Sequence, residues 1–267
     1  MKLNIIFRAL GISKQAFHQR LNRQLKTLEE QEQLIVLVNQ IRLDHPHMSS
    51  RQMYRLLKPT HMGRDRFEAF CFENGFKVAV KRSFHRTTNS IGVTRFANLL
   101  PGRELTSINQ VWVSDITYYQ IDDTYFFLTF ILDRYSRMIV GYSVAQDLAT
   151  ISTTIPAMKM ALESRSEIEG TIIHSDGGGQ YYCKEWLALT QKNKFRNSMC
   201  TSPYENPHAE RINGIIKNHY LTGYNPKTYS QLEAMTSKAV LKYNHEKPHS
   251  SLGNISPYQF EVNLKAA

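Results

Sequence analysis

Apolar residues recur at helical spacing in the first third of the chain and at strand spacing after residue 109, and this change of period sets the expected elements. Ile5–Leu10 and Lys14–Leu21 read as two short helices around Gly11, with Ser13 as N-cap of the second. In that arrangement Lys14, Gln15, His18 and Gln19 face outward while Ala16, Phe17 and Leu21 pack inward. From Leu28 to Leu43 the positions Leu34, Leu37, Val38 and Ile41 make one stripe, and the helix stops ahead of Asp44-His45-Pro46 because a residue before proline is pushed out of the helical region. Ser49 or Ser50 then caps Arg51–Leu57, and a third helix from Arg64 to Asn74 ends at Gly75.

Beyond Asn109 the pattern changes. Val111 to Ile121 alternates as a strand, Asp122-Asp123 makes a turn, and Tyr125 to Leu132 is an almost unbroken apolar run, as in a strand buried on both faces. Met138–Val144 is a third strand, followed by helix Ser152–Ser164, strand Thr171–Ser175, helix Lys184–Asn193, strand Phe195–Cys200 and a last long helix from Asn206-Pro207, read as cap and first helical position. The order β-β-β-α-β-α-β-α belongs to a ribonuclease-H-like mixed sheet. The expected fold is therefore α/β, with this core preceded by an all-α helix-turn-helix region. The expected divisions are residues 1–27 as a helix-turn-helix-like segment, 28–77 as a helical DNA-binding bundle, 78–108 as a basic linker, 109–225 as the core, and 226–267 as a C-terminal helical extension.

Charge sharpens this division. The net charge is +10, and residues 1–100 carry all of it, with 17 Lys and Arg against 7 Asp and Glu; residues 101–267 hold 16 of each sign. Such asymmetry suits an N-terminal part lying on a polyanion. Lys14, Gln15 and His18 on the first helical pair, Arg51, Arg64 and Arg66 on the bundle, and Lys81, Arg82 and Arg86 in the linker are the expected DNA contacts. A solubilising charge, a helical hairpin without DNA and a scaffold with a solvated basic face fit the same patterns. The three cysteines, Cys71, Cys183 and Cys200, have no zinc-finger spacing and read as reduced cytosolic thiols. The longest apolar stretch is too short for a membrane span, and the N-terminus lacks a signal-peptide pattern. The expectation is a soluble cytoplasmic protein with no membrane partner.

The candidate chemistry rests on three acids. Asp115 lies within the first core strand, Asp176 follows the apolar strand Thr171–Ile173 at its carboxyl end, and Glu210 lies one turn inside the last helix, with Asn213, Gly214 and Lys217 at i+3, i+4 and i+7. Ligands collect at the carboxyl ends of strands in open sheets. Carboxylates brought together repel and rise in pKa, and a hard divalent cation relieves that repulsion; oxygen-only ligands favour two Mg²⁺ or Mn²⁺ ions able to drive in-line phosphoryl displacement. Taken singly, Asp115 also fits a polar strand face, Asp176-Gly177 an ordinary turn and Glu210 a helix-dipole partner. Asp122, Asp123 and Asp133 are the rival acids, the first two assigned to a hairpin turn.

Ordered motifs then point to a family. F-R-A-L-G-I-S-K-Q-A-F, R-Q-M-Y-R-L-L, W-V-S-D-I-T-Y, H-S-D-G-G-G-Q-Y, E-N-P-H-A-E-R-I-N-G-I-I-K and Y-N-H-E-K-P-H-S-S-L-G-N-I-S-P-Y-Q-F span nearly the whole chain. It resembles bacterial insertion-sequence transposases of the IS-three type, whose core is shared with retroviral integrases. The resemblance implies a D-D-E transposase with Asp115, Asp176 and Glu210 as catalytic metal ligands, cleaving at a 3′ end and transferring that strand by a copy-out, paste-in route. It further implies that His174, Gln180, Tyr181 and Lys217 line the DNA end. The implied partners are element ends, target DNA, further copies of the chain and an upstream-frame helix-turn-helix protein. A catalytically silent DNA-binding regulator is the alternative, as is a nuclease acting on RNA–DNA hybrids. Two features depart from the family pattern: 33 residues separate Asp176 from Glu210, slightly fewer than usual, and Gly177-Gly178-Gly179 stands where relatives often place Arg and Ser.

Overall fold

The computed structural model describes residues 7, 9, 11–78, 96–200 and 205–266. The linker positions Lys81, Arg82 and Arg86, and most of the first expected helix, lie outside them. The chain divides into two compact units, residues 1–44 with 48–77, and residues 45–47 with 78–267.

In the first unit, α1 (Lys14–Asp44), α2 (Ser50–Leu57) and α3 (Arg64–Glu73) surround a core of Leu34, Val38, Met48, Met53, Met62, Phe67, Phe70 and Cys71. Ser13 caps α1 as expected, its Oγ accepting from the Ala16 amide at 3.0 Å. The two helices expected at 14–21 and 28–43 are one continuous helix, so a division between 27 and 28 falls inside α1. The reason is local: Asn22–Thr27 contains no glycine or proline, and its Arg, Gln, Leu and Lys are good helix formers. Phe17 and Leu21, expected to pack inward, are exposed, as are Leu25 and Leu28. Ser49 is the cap of α2, accepting from the Gln52 amide. Arg42 then ties the unit together by donating to the carbonyls of Met48 and Phe76.

The second unit is built on a five-stranded sheet of β1 (Val111–Ile121), β2 (Thr124–Asp133), β3 (Ile139–Ala145), β4 (Ile172–Ser175) and β5 (Arg196–Met199), in the order β3-β2-β1-β4-β5. β1, β2 and β3 form antiparallel neighbours, whereas β4 pairs parallel with both β1 and β5. The mixed sheet is the ribonuclease-H-like arrangement that the element order implies. Asp122, at φ 50°, turns the first hairpin as expected. Asp133 is fully buried and accepts from the amides of Asn109, Tyr135 and Ser136, which makes it the anchor of the β2–β3 turn rather than a rival catalytic acid.

Alternation along the strands gives the sheet two apolar faces. On one face Trp112, Ile131, Val140 and Ile173 pack with α4 (Thr154–Ser164) and α5 (Lys184–Lys192). α4 lies so close to β3 that a Cβ on Gly141 would collide with the Ala157 carbonyl oxygen. On the other face Val111, Val113, Leu128, Phe130 and Ile172 pack with α6 (Pro207–Gly214), the π-helical turn Ile215–Leu221 that extends it, and α7 (Tyr229–His245). The run ends at Asn225, in the left-handed conformation common at helix C-termini. α8 (Pro257–Ala266) closes the chain through a two-bond pair of Arg165 with Glu261, at 2.6 and 2.8 Å. Among the described residues no helix is long and apolar enough to cross a membrane.

Candidate active site

The sheet register places the two aspartates. Val113 pairs with His174 across the parallel β1–β4 edge, so Asp115 and Asp176, each two residues further, reach the same level on the α6 face. Asp115 sits mid-strand, while Asp176 stands just past β4, where Gly178 N–H donates to its Oδ1 at 3.0 Å and the Tyr182 hydroxyl donates to its carbonyl at 3.2 Å. α6 supplies the third side. Its Asn213 amide donates to Asp115 Oδ2 at 2.7 Å, and Lys217, one turn later, donates to Thr117 Oγ1 at 3.1 Å while lying 4.7 Å from the centre of the Tyr118 ring. Lys217 thus belongs to the Asp115 neighbourhood, as its spacing from Glu210 implied.

Electrostatics show an incomplete charge balance. Burial, then repulsion from Asp176, push the Asp115 carboxyl up to about 7, with a smaller contribution from Glu210 and opposing hydrogen bonds from the Ile116 amide and Asn213. Asp176 is raised as well, by burial against its hydrogen bond from Gly178. The Lys217 ammonium is lowered by burial and raised by the charge of Asp115. Glu210 stands exposed in the first turn of α6. Among the described residues no three His, Cys, Asp or Glu side chains are gathered closely enough to hold a metal ion; the charges of Asp176 and Glu210 both act on Asp115, that of Asp176 more strongly. The donor chemistry nonetheless fits a hard divalent cation, since two recessed carboxylates repel each other.

A stability consequence follows from the sign of the Asp115 shift. Its folded pKa, about 7, lies above the ordinary value of 3.8, so the contribution is fully present below pH ~4 and is lost as pH rises through 7. Asp115→Asn is expected to remove that loss and make the metal-free protein more stable at pH 8 by about 2–4 kcal/mol. Urea unfolding in a chelator at pH 5 and pH 8 measures it, and parallel pH dependence of the two proteins would contradict the assignment. Added Mg²⁺ is expected to stabilise only the unsubstituted chain.

The other expected contacts divide. Lys14, Gln15, His18 and Arg66 are exposed on the first unit. Arg51 and Arg64 are exposed but engaged, Arg51 with Glu68 and Arg64 with Asp65 and Glu68. Gln180 donates to the Leu148 carbonyl. Two expectations are corrected: Tyr181 and His174 do not line a surface. Tyr181 is enclosed against Trp186 with its hydroxyl on Ser114, and His174 is fully buried with Nδ1 on Ser198 Oγ, because the strand and the short helical turn that carry them form part of the core. Asn206, read as a helix cap, makes no capping bond; its amide donates to the Ser114 carbonyl at 3.0 Å and fastens the start of α6 to β1. Asn213 had no assigned role, although its i+3 spacing from Glu210 was the available signal.

Comparison with known proteins adds the family. A model described as the integrase core domain matches residues 106–204, and a second of the same description matches residues 191–257. Over 156 residues the chain is 30% identical to the transposase InsF for insertion sequence IS3A of Escherichia coli strain K12, covering 57% of this chain and 54% of that protein. It therefore spans about half the length of that relative. Over 204 residues it is 32% identical to the insertion element IS600 uncharacterized 31 kDa protein of Shigella sonnei, covering 74% of this chain and 75% of the relative. The chain belongs to the IS3-type insertion-sequence transposases. This transposase-family chain also shares its fold with a chain of the simian T-cell lymphotropic virus intasome solved in complex with PP2A regulatory subunit B56 gamma, at TM-score 0.52 and 17% identity over 80% of this chain and 71% of that one.

Proposed function

We propose that the protein is a DNA transposase that cleaves a phosphodiester at the 3′ end of its element and transfers that end to a second phosphodiester. The observation that carries this reading is the convergence of Asp115 and Asp176 on one face of adjacent parallel strands, with Asn213 and Lys217 of the α6 run beside them. Asp115 and Asp176, joined by Glu210, would hold two Mg²⁺ or Mn²⁺ ions. Ions held there would supply the positive charge that activates an attacking oxygen and stabilises a leaving one. Asn213 fixes the orientation of the Asp115 carboxylate, the Gly178 amide fixes that of Asp176, and Lys217 offers a positive charge to the phosphate that the acids alone would repel. The basic first unit supplies end recognition, and two ends held together require at least two copies. A copy-out, paste-in route, with an upstream-frame partner, is the pathway this reading favours.

The test is the full chain with duplexes that carry the element's own terminal repeats, with and without Mg²⁺. Metal-dependent 3′-end cleavage followed by joined strands is the expected result. Binding without cutting in Mg²⁺ and in Mn²⁺ would instead identify a silent regulator, and preferential cutting of RNA–DNA hybrids would identify a nuclease.

A further inference from the structure

A cleft opens at Val113, on the α6 face of β1. Its lining includes Val113, Arg103, Arg134, Asn206, His208 and the acid Glu205. Val113 is one same-face step before Asp115, about 6.6 Å along an extended strand. That step is comparable to about two nucleotides of rise along a nucleic-acid strand at ~3.4 Å each.

Among the described residues the arginines around this cleft make no ion pair, although the charge of Asp133 acts on Arg137. Arg134 Nη1 is buried and makes no hydrogen bond among the described residues. Arg137 points its guanidinium at an imidazole, donating to His208 Nδ1 at 2.8 Å, which requires that ring nitrogen to be unprotonated. Arg211 follows His208 at i+3 on α6 and stands exposed. Among the described residues none of Arg134, Arg137 and Arg211 forms an ion pair. The cleft's acids are Glu104 and Glu205, and Glu205 accepts from the Asn98 amide. Arg134 and Arg137, partly buried and without an ion pair among the described residues, cost stability in the folded chain, and an anion is what would relieve it.

We propose that this cleft, walled by Arg134 and His208 and backed by Arg137 and Arg211, is a subsite for the phosphodiester backbone of the DNA strand that continues from the reacting phosphate. It rests on the transposase reading above and adds a second nucleic-acid contact to it, outside the basic first unit. Guanidiniums suit the role because they present forked donors to phosphate oxygens.

The test compares the full chain with Arg134→Gln, Arg211→Gln and the double variant, each binding duplex DNA across a salt series with Ca²⁺ present. The expected result is weaker binding, with the slope of log affinity against log salt shallower by about 0.9 for each arginine removed. Melting temperatures are expected to be no lower than that of the unsubstituted chain, since removing one of several repelling charges does not weaken the fold. Arg196→Gln, the same charge change at the exposed first residue of β5, is expected to keep the original slope. A loss confined to duplexes carrying element ends assigns the subsite to the donor strand, and an equal loss on unrelated duplexes assigns it to target DNA. Unchanged slopes overturn the proposal, as does weaker binding that tracks a matching fall in melting temperature. If the unsubstituted chain binds no DNA, the transposase reading itself fails.

Discussion

Asp176→Asn is expected to abolish metal-dependent cleavage and joining while leaving DNA binding and the fold intact. Asp176 stands just past β4 and its charge acts on Asp115 of the neighbouring β1, and on the proposed reading losing its carboxylate removes a metal ligand. Electrostatic stabilisation by a bound metal is worth several kcal/mol in such displacements, so at about 1.4 kcal/mol per factor of ten the loss is roughly a thousandfold or more. The asparagine carbonyl can still accept from the Gly178 amide, which preserves the turn that holds residue 176 in place. Single-turnover joining assays beside binding curves separate the two effects. Joining at a rate within tenfold of the original would remove Asp176 from the catalytic set, and lost binding would mean that the substitution damages more than the acid.

Glu261→Ala is expected to be the most damaging single change to stability away from the site. Arg165 and Glu261 form a two-bond pair in which each side chain is only 10% exposed. Truncating the acid leaves a recessed guanidinium unpaired, which costs about 3–5 kcal/mol, whereas replacing both partners by apolar residues of similar volume is expected to recover most of that loss. The same pair holds α8, whose Phe260 ring also lies 5.6 Å from Tyr135. Urea unfolding gives the global cost, and hydrogen exchange along α8 shows whether the helix detaches first. A change below about 1 kcal/mol would show that the pair contributes no more than an exposed one.

Much of the catalytic unit was legible in the sequence because its strands repeat apolar positions with a period of two and its helices are bounded by strong local signals. The unbroken Tyr125–Leu132 run becomes central β2, covered on both faces, and the Asp122-Asp123 turn joins β1 to β2. The first unit was less legible where local and tertiary signals compete. Asn22–Thr27 lacks any helix breaker, so the chain passes through it as helix despite the sparse apolar pattern. Phe17 and Leu21 carry an inward pattern yet stay exposed, because periodicity marks an apolar face without supplying an element to cover it.

The candidate site shows the same division. Residue type and strand position were enough to single out Asp115 and Asp176, and helical spacing was enough to link Glu210, Asn213 and Lys217 on one face. Side-chain environment was not. His174 and Tyr181 sit in motifs that suggest DNA contact, yet both are enclosed, and Asn206 has the identity of a cap but bonds across to β1. The basic cleft joins Arg134 and Arg137 of the β2–β3 turn to His208 and Arg211 of α6, residues about seventy positions apart. By itself the sequence determined the element order, the mixed-sheet fold and the acids, because periodicity, caps and turns act between near neighbours. Only the tertiary structure decided which polar groups are enclosed and where Arg134, Arg137, His208 and Arg211 gather, because desolvation and charge interactions depend on neighbours that the chain brings together only after folding.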